Sequence, residues 1–365
     1  PILIFMFSLG GATFGMSEES VAFIAILLPL VLALGYDSIV AMCVTYLACN
    51  LGFSSAMLNP FTVGIGQSIA EVPLYSGVEY RTIIWFITTA VGCAFVMIYA
   101  MKIKKNPKLS PVFESDQIKY EKLKDIQSES AEFTTSHKII VLSLFIGIGI
   151  IVYGVLKLEF WIPEIAGIFL AVGLISGIVG KLEPNEMASA FTEGAKDMIG
   201  AAILIGFARS IMIIAQNANI IDTILFNLAN VVGQLPSLIA SYIMFVIQMF
   251  INFFVSSGSG QAALTMPILA PLGDLVGISR QLSVLIYQLG DGFSNAMFPT
   301  SGVLIACLGM AGVPYGKWLK WILPLQAILF MTAIAFITIA SLITSATMCP
   351  SYTSISGSWT KLKSI

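Results

Sequence analysis

Apolar runs approaching twenty residues recur from one end of this chain to the other, and that recurrence constrains the fold more than any motif. A run of that length crosses the hydrocarbon core of a bilayer as a helix. Within the bilayer every backbone polar group must be paired inside the protein, which leaves helices or closed barrels. Thr82 to Met101, Ile139 to Leu156, Ile165 to Gly180 and Leu238 to Val255 read as spans. The 365 residues include only 18 Lys+Arg and 20 Asp+Glu, 10% charged, against about 25% in soluble domains. Mean hydropathy is +0.92. Soluble enzyme and disordered chain are therefore poor readings, and a net charge of −2 gives no footprint for nucleic acid. The expected fold class is an all-α polytopic membrane protein with the lipid bilayer as its main partner.

Other chemistries lack their residues. Cys43, Cys49, Cys93, Cys307 and Cys349 have no pairing or CxxC spacing, and His137 is the one histidine. A disulfide framework, a zinc site or a His-dependent triad is not expected, and neither are organic cofactors. No Walker A motif supports ATP-driven transport. Residues Pro1 to Gly10 are apolar with no charged leading segment, so a signal peptide does not fit. The chain is expected to begin inside a larger transporter, with N-terminal spans missing.

The longest polar interval runs from Lys102 to Lys138. Its lysines next to a span read as a cytoplasmic loop, and its composition as a solvated, partly disordered linker. Lys181 to Lys196 reads as an interfacial amphipathic segment. Ile199 to Ile214 is apolar but carries Arg209, and Asp222 follows.

The two ends of the chain resemble one another. Gly52-Phe53-Ser54-Ser55-Ala56-Met57 reads onto Gly292-Phe293-Ser294-Asn295-Ala296-Met297. Upstream, Pro29 falls on Pro271 and Gly35 on Gly277; downstream, Val72-Pro73 falls on Val313-Pro314. In each copy an apolar run meets a polar knot, Gly15 to Ser20 or Ser256 to Gln261, before a second apolar run. Such knots suit the tips of re-entrant hairpins, tolerated at membrane depth only inside protein or beside a cavity. A second break follows in each copy, Asn50 to Thr62 and Gly290 to Ser301, where Pro60 and Pro299 remove backbone donors. Glu71 and Glu79 follow the first copy, Lys317 and Lys320 the second, which argues for opposite orientations. Duplicated broken elements of opposite topology point to an alternating-access secondary transporter. The expected organisation is a first transport repeat (1–80), a span (81–101), a polar loop (102–138), scaffold-type spans with an interfacial helix (139–235), a second transport repeat (236–316), a last span (317–345) and a tail (346–365).

Broken helices supply what transport needs. Half-helix N-termini attract carboxylates, while unwound carbonyls, hydroxyls and amides coordinate Na⁺. The candidate contacts are Ser17, Ser54, Ser55, Asn59 and Thr62 in the first copy, and Ser257, Ser259, Ser294, Asn295, Thr300 and Ser301 in the second. Local capping of helix ends is the alternative role for these side chains. Glu18, Glu19, Asp291 and Arg209 are ionisable groups at membrane depth and hence functional candidates. A cationic substrate would meet Glu18, Glu19 or Asp291; an acidic one would meet Arg209, which could instead pair with Asp222 or Asp291.

Gly10-Gly11-Ala12-Thr13-Phe14-Gly15-Met16-Ser17-Glu18-Glu19 and Asp291-Gly292-Phe293-Ser294-Asn295-Ala296-Met297-Phe298-Pro299-Thr300-Ser301 resemble the YfcC-like branch of the anaerobic dicarboxylate carrier family, in the ion transporter superfamily. The resemblance runs from about Pro1 to Pro324. It implies an inverted-repeat fold of two re-entrant hairpins and two discontinuous helices, scaffold and transport domains, an elevator-like cycle, a homodimer at full length and a place in the bacterial inner membrane. It also implies Na⁺ or H⁺ as coupling ion, with Na⁺ at Ser259, Asn295 and Thr300. The substrate reading is a small molecule, an amino acid and especially a basic one in arginine/ornithine-type exchange. Protonation of Glu19 in the empty carrier offers a proton-coupled variant. A Na⁺- or H⁺-coupled dicarboxylate carrier is the alternative and a channel a distant one; an intramembrane enzyme lacks a nucleophile and base pair.

Overall fold

The fold follows a computed structural model that describes residues 1–127, 134–158, 160, 162–218, 220, 223, 227 and 232–347. No strand occurs among them. The first copy opens with α1 (Ile2–Phe14) and α2 (Glu19–Ala33). Next comes α3 (Ser38–Ser54), which passes through a π turn at Cys43–Leu47. The helical segment α4 (60–69) begins with a π turn at Pro60–Gly64. A long helix α5 (Val78–Lys105) closes this half. Then come α6 (Phe113–Gln127), α7 (Thr135–Lys157), α8 (Ile162–Val179) and α9 (Pro184–Asn217). The second copy comprises α10 (Ser237–Phe254), α11 (Gly258–Leu275), α12 (Arg280–Asn295), α13 (Gly302–Ala311) and the long α14 (Tyr315–Thr347).

The breaks have local causes. Gly15 terminates α1 in the left-handed region at φ 78°, which costs glycine no Cβ clash. Asn59 accepts from Phe61 N–H, and Ser257 and Ser301 accept from the amides of Gly260 and Leu304, so each half-helix restarts on a side-chain cap. The turns between α2 and α3 and between α11 and α12 are built alike. Gly35 and Gly277 both take positive φ, and Asp37 and Ser279 both cap the next helix.

Packing corresponds in the same way. α1 lies on α3 as α10 lies on α12, and α5 supports α1 and α3 as α14 supports α10 and α12. The two copies also interlock: α2 packs on α13, α11 packs on α4, and α3 crosses α12. The core lies at this crossing, where Trp318, Tyr287, Phe245 and Phe293 are fully buried.

Three helices among the described residues are long and apolar enough to cross a membrane: Val78–Lys105, Ser237–Phe254 and Tyr315–Ile343. Large apolar side chains such as Phe86 and Met331 face outward, as a lipid-contacting surface requires.

Two expectations are corrected. Lys181 to Lys196 and Ile199 to Ile214 are not two separate elements; from Pro184 onward both lie in the unbroken α9, since no proline interrupts residues 185–217. The interval after Lys102 is not simply a solvated linker. α6 docks on α2, and Asp116 accepts from Ser38 N–H at 2.7 Å and from Ser38 Oγ at 2.6 Å. Asp222 and the tail from 348 onward lie outside the described residues.

Candidate functional site

The two interlocked copies enclose a cavity of about 160 Å³ where their breaks meet. The first break contributes Gly15, Ser17, Glu18 and Glu19, and the second Ser256, Ser257, Gly258 and Ser259. Asn295, Ser301 and Val303 line it from the second broken helix, and Tyr46, Asn50, Phe53 and Phe61 from the first.

Of the residues expected from sequence, Ser17, Glu18, Glu19, Ser257, Ser259, Asn295 and Ser301 therefore converge on one space. Ser54, Ser55, Asn59, Asp291, Ser294 and Thr300 do not line it, although each is buried beside it. The reason is local for the serines: Ser54 Oγ donates to Asn50 O, Ser55 Oγ to Leu51 O and Ser294 Oγ to Gly290 O, at 2.6–2.7 Å. These hydroxyls turn back onto their own helices. The Arg209 side chain lies outside the described residues, so its expected contacts are not placed.

Three helix beginnings meet at the cavity, those of α2, α11 and α13, each turning the positive end of its dipole toward it. Glu19 already uses part of this arrangement, with Oε2 accepting from Ser17 N–H at 3.1 Å. The described lining holds two carboxylates, Glu18 and Glu19, and no lysine or arginine. Phe53 and Phe61 add aromatic faces that attract a cation.

Tyr46 and Asn50 were not among the candidate contacts because their partners lie far along the chain. Tyr46 Oη donates to Asn295 O at 3.0 Å, and Asn50 Nδ2 to Gly292 O at 3.2 Å. Asn252, behind the cavity, donates from Nδ2 to Asp291 O, Ser294 Oγ and Asn295 Oδ1 at 2.7–2.9 Å. The second break is held from below as well, with Trp318 Nε1 donating to Ala296 O at 2.9 Å and Tyr315 Oη to Met297 O at 2.7 Å. No cluster of His, Cys, Asp and Glu able to hold a metal ion occurs among the described residues.

Residues 1–342 match the DcuC family of C4-dicarboxylate anaerobic carriers. The chain belongs to the DcuC family. A relative in Escherichia coli K12, YfcC, provisionally named a basic amino acid antiporter, is 46% identical over 342 residues, 91% of this chain and 67% of its own length. An uncharacterized Haemophilus influenzae protein is 33% identical over 325 residues, 88% of this chain and 64% of its own. The chain thus spans about two thirds of these relatives. Among solved structures, the YdaH transporter of Alcanivorax borkumensis resembles it with a TM-score of 0.50 at 18% identity, over 94% of this chain and 78% of that one. The chain is therefore part of a secondary transporter, not an enzyme, in the YfcC-like branch of its family. Its setting is the bacterial inner membrane, as a multi-pass protein that acts on a small molecule.

Proposed function

We propose that this carrier exchanges amino acids, and basic ones in particular, across the inner membrane. The observation that carries the reading is the charge of the cavity: Glu18 and Glu19 line it, and no basic side chain does so among the described residues. A dicarboxylate would face two residues of its own sign, with no basic side chain in the described lining to receive it. An α-carboxylate at the helix beginnings, with an amino or guanidinium group at Glu18, Glu19 and the aromatic faces, satisfies both signs of charge. The name of the Escherichia coli relative points the same way.

In this reading the units around Gly15 and Ser257 are re-entrant hairpins of two inverted repeats. The reciprocal packing of α2 on α13 and α11 on α4 supports it. The cycle is elevator-like, moving the two tips and broken helices as a body against the long spans, and the full-length carrier works as a homodimer. Coupling to Na⁺ would draw on Ser259, Asn295 and Thr300; the first two line the cavity, and Thr300 is buried with no partner for its Oγ1.

Counterflow in proteoliposomes tests the substrate. Uptake of labelled arginine accelerated by internal ornithine, and abolished by Glu19→Gln, is the expected result. Uptake of labelled succinate driven by Na⁺ or a proton gradient, with no arginine counterflow, would replace the proposal by a dicarboxylate symporter.

A further inference from the structure

Away from the cavity at the breaks, the first turn of α5 buries an arginine that nothing in the protein pairs. Arg81 is 3% exposed, and neither its Nη1 nor its Nη2 has a hydrogen-bond partner. The ion pairs of the described residues do not include it. Arg280, at the start of α12, is the contrast: its Nη1 meets Glu71 at 2.7 Å and its Nε meets Asp274 at 2.9 Å. An arginine near the end of a spanning helix ordinarily extends its guanidinium to the aqueous interface. Arg81 is enclosed instead, and a buried charge without a counter-charge is costly. Loss of the proton does not relieve it, because a guanidinium stays charged. Water would hydrate the nitrogens and leave the charge uncompensated.

Arg81 stands in the wall of a second cavity, of about 210 Å³, which shares no residue with the first. Two helices begin there. Gly77 starts α5 without a side-chain cap, Ser279 caps α12, and both line the cavity. Helix beginnings and a guanidinium all favour an anion. Among the described residues no carboxylate lines this space; Glu79, also in the first turn of α5, is exposed and outside the wall. The rest of the wall is apolar, with Leu285, Ala340 and Ile343. Ile343 is 52% exposed and shares its helix face with the exposed Ile339, so one edge of the cavity adjoins the lipid-facing surface. Lys102, Lys104 and Lys105 close the other end of α5, which sets Arg81 on the outer side of the membrane.

We propose that Arg81 and the beginnings of α5 and α12 bind the phosphate group of an anionic ligand at the outer end of the carrier. A turn of the arginine stem brings the guanidinium fork onto two phosphate oxygens. The apolar wall accommodates the glycerol and acyl chain of a phospholipid, whereas a free phosphate uses the polar wall alone. Binding here does not depend on which substrate occupies the cavity at the breaks.

Thermal unfolding of the full chain, purified in a phosphate-free non-ionic detergent, tests the site. Phosphatidylglycerol, diacylglycerol and inorganic phosphate are titrated separately at constant ionic strength. The expected result is a saturable rise in Tm with phosphatidylglycerol that diacylglycerol does not reproduce. Arg81→Gln should abolish it. Arg81→Lys should move its midpoint about tenfold higher, because an ammonium lacks the bidentate fork. Ala340→Trp, which fills the apolar wall, should weaken the lipid response as well. A rise with inorganic phosphate that Arg81→Gln removes, with none from phosphatidylglycerol, would keep the anion site and assign it to a free phosphate. No rise with either, or an undiminished rise in Arg81→Gln, would overturn it. If Arg81→Gln does not fold, wild-type midpoints in both Arg81→Lys and Ala340→Trp would overturn it equally.

Discussion

Gly292 meets Ser54 backbone to backbone: a Cβ on Gly292 would lie 2.3 Å from Ser54 Cα. Gly52 does the same on α1, where a Cβ would lie 1.8 Å from Ser8 O. These glycines occupy matching places in the Gly-Phe-Ser motifs of the two copies, so the motif marks where helices cross too closely for a side chain. Gly292→Ala or Gly52→Ala must push a helix backbone aside, at a cost of about 1–3 kcal/mol or more. Gly309→Ala is the comparison, because a Cβ there meets nothing within 4 Å. Detergent-solubilised Gly292→Ala and Gly52→Ala should unfold at lower temperature than wild type, and Gly309→Ala should not.

Asn252 organises the second break through one amide. Its Nδ2 serves Asp291 O, Ser294 Oγ and Asn295 Oδ1 together. Asn252→Ala removes a buried amide that donates to this break, a loss of about 1–3 kcal/mol. Because Asn295 lines the cavity, the variant should lower Tm and also raise the KM for transported substrate. A fall in Tm with unchanged KM would show that Asn252 supports the fold without positioning Asn295.

The helix breaks were legible because they rest on local chemistry. Gly15 supplies the left-handed turn, and Asn59, Ser257 and Ser301 cap the restarted helices, as their residue types suggest. The inward faces were not legible. A helix that is apolar all round carries no phase to show which side meets the cavity. Tyr46, Asn50 and Phe53 acquire their roles from partners in the other copy, such as Asn295 O, Gly292 O and Gln288. The α6 segment was misread for a related reason. Its charges resemble a solvated loop, yet Asp116 and Lys119 spend them on tertiary contacts.

Lys119 joins the polar interval to both copies. Its Nζ lies 2.7 Å from Ala311 O at the end of α13, 2.8 Å from Ser38 Oγ at the start of α3 and 2.7 Å from Asp116 Oδ1. A cation at a helix C-terminus and a carboxylate at a helix N-terminus each sit at the favourable dipole end. Lys119→Ala should weaken α6 docking by about 1 kcal/mol. Limited proteolysis between Ser110 and Gln127 is the measurement, with faster cleavage in the variant than in wild type expected. Equal cleavage rates would mean that apolar contacts alone hold α6.

Asp37 gives the carrier a pH-dependent term at the turn between α2 and α3, beside Lys104, whose Nζ donates to Leu34 O at 2.6 Å. Burial raises its carboxyl above the ordinary 3.8, against opposing hydrogen bonds from Ser110, Tyr99 and Val40 N–H and with a smaller push from Asp116. Between 3.8 and the raised native value, the folded state holds more of the proton than the unfolded state does. The contribution is complete below the ordinary value and is lost as pH rises through the native one. Stability from this group therefore falls as pH climbs from about 4. Asp37→Asn removes the titration while keeping an oxygen for the Val40 cap. Tm measured across that range should decline less steeply with rising pH in the variant than in wild type. Parallel curves would place the carboxyl at its ordinary value and remove Asp37 from the pH response.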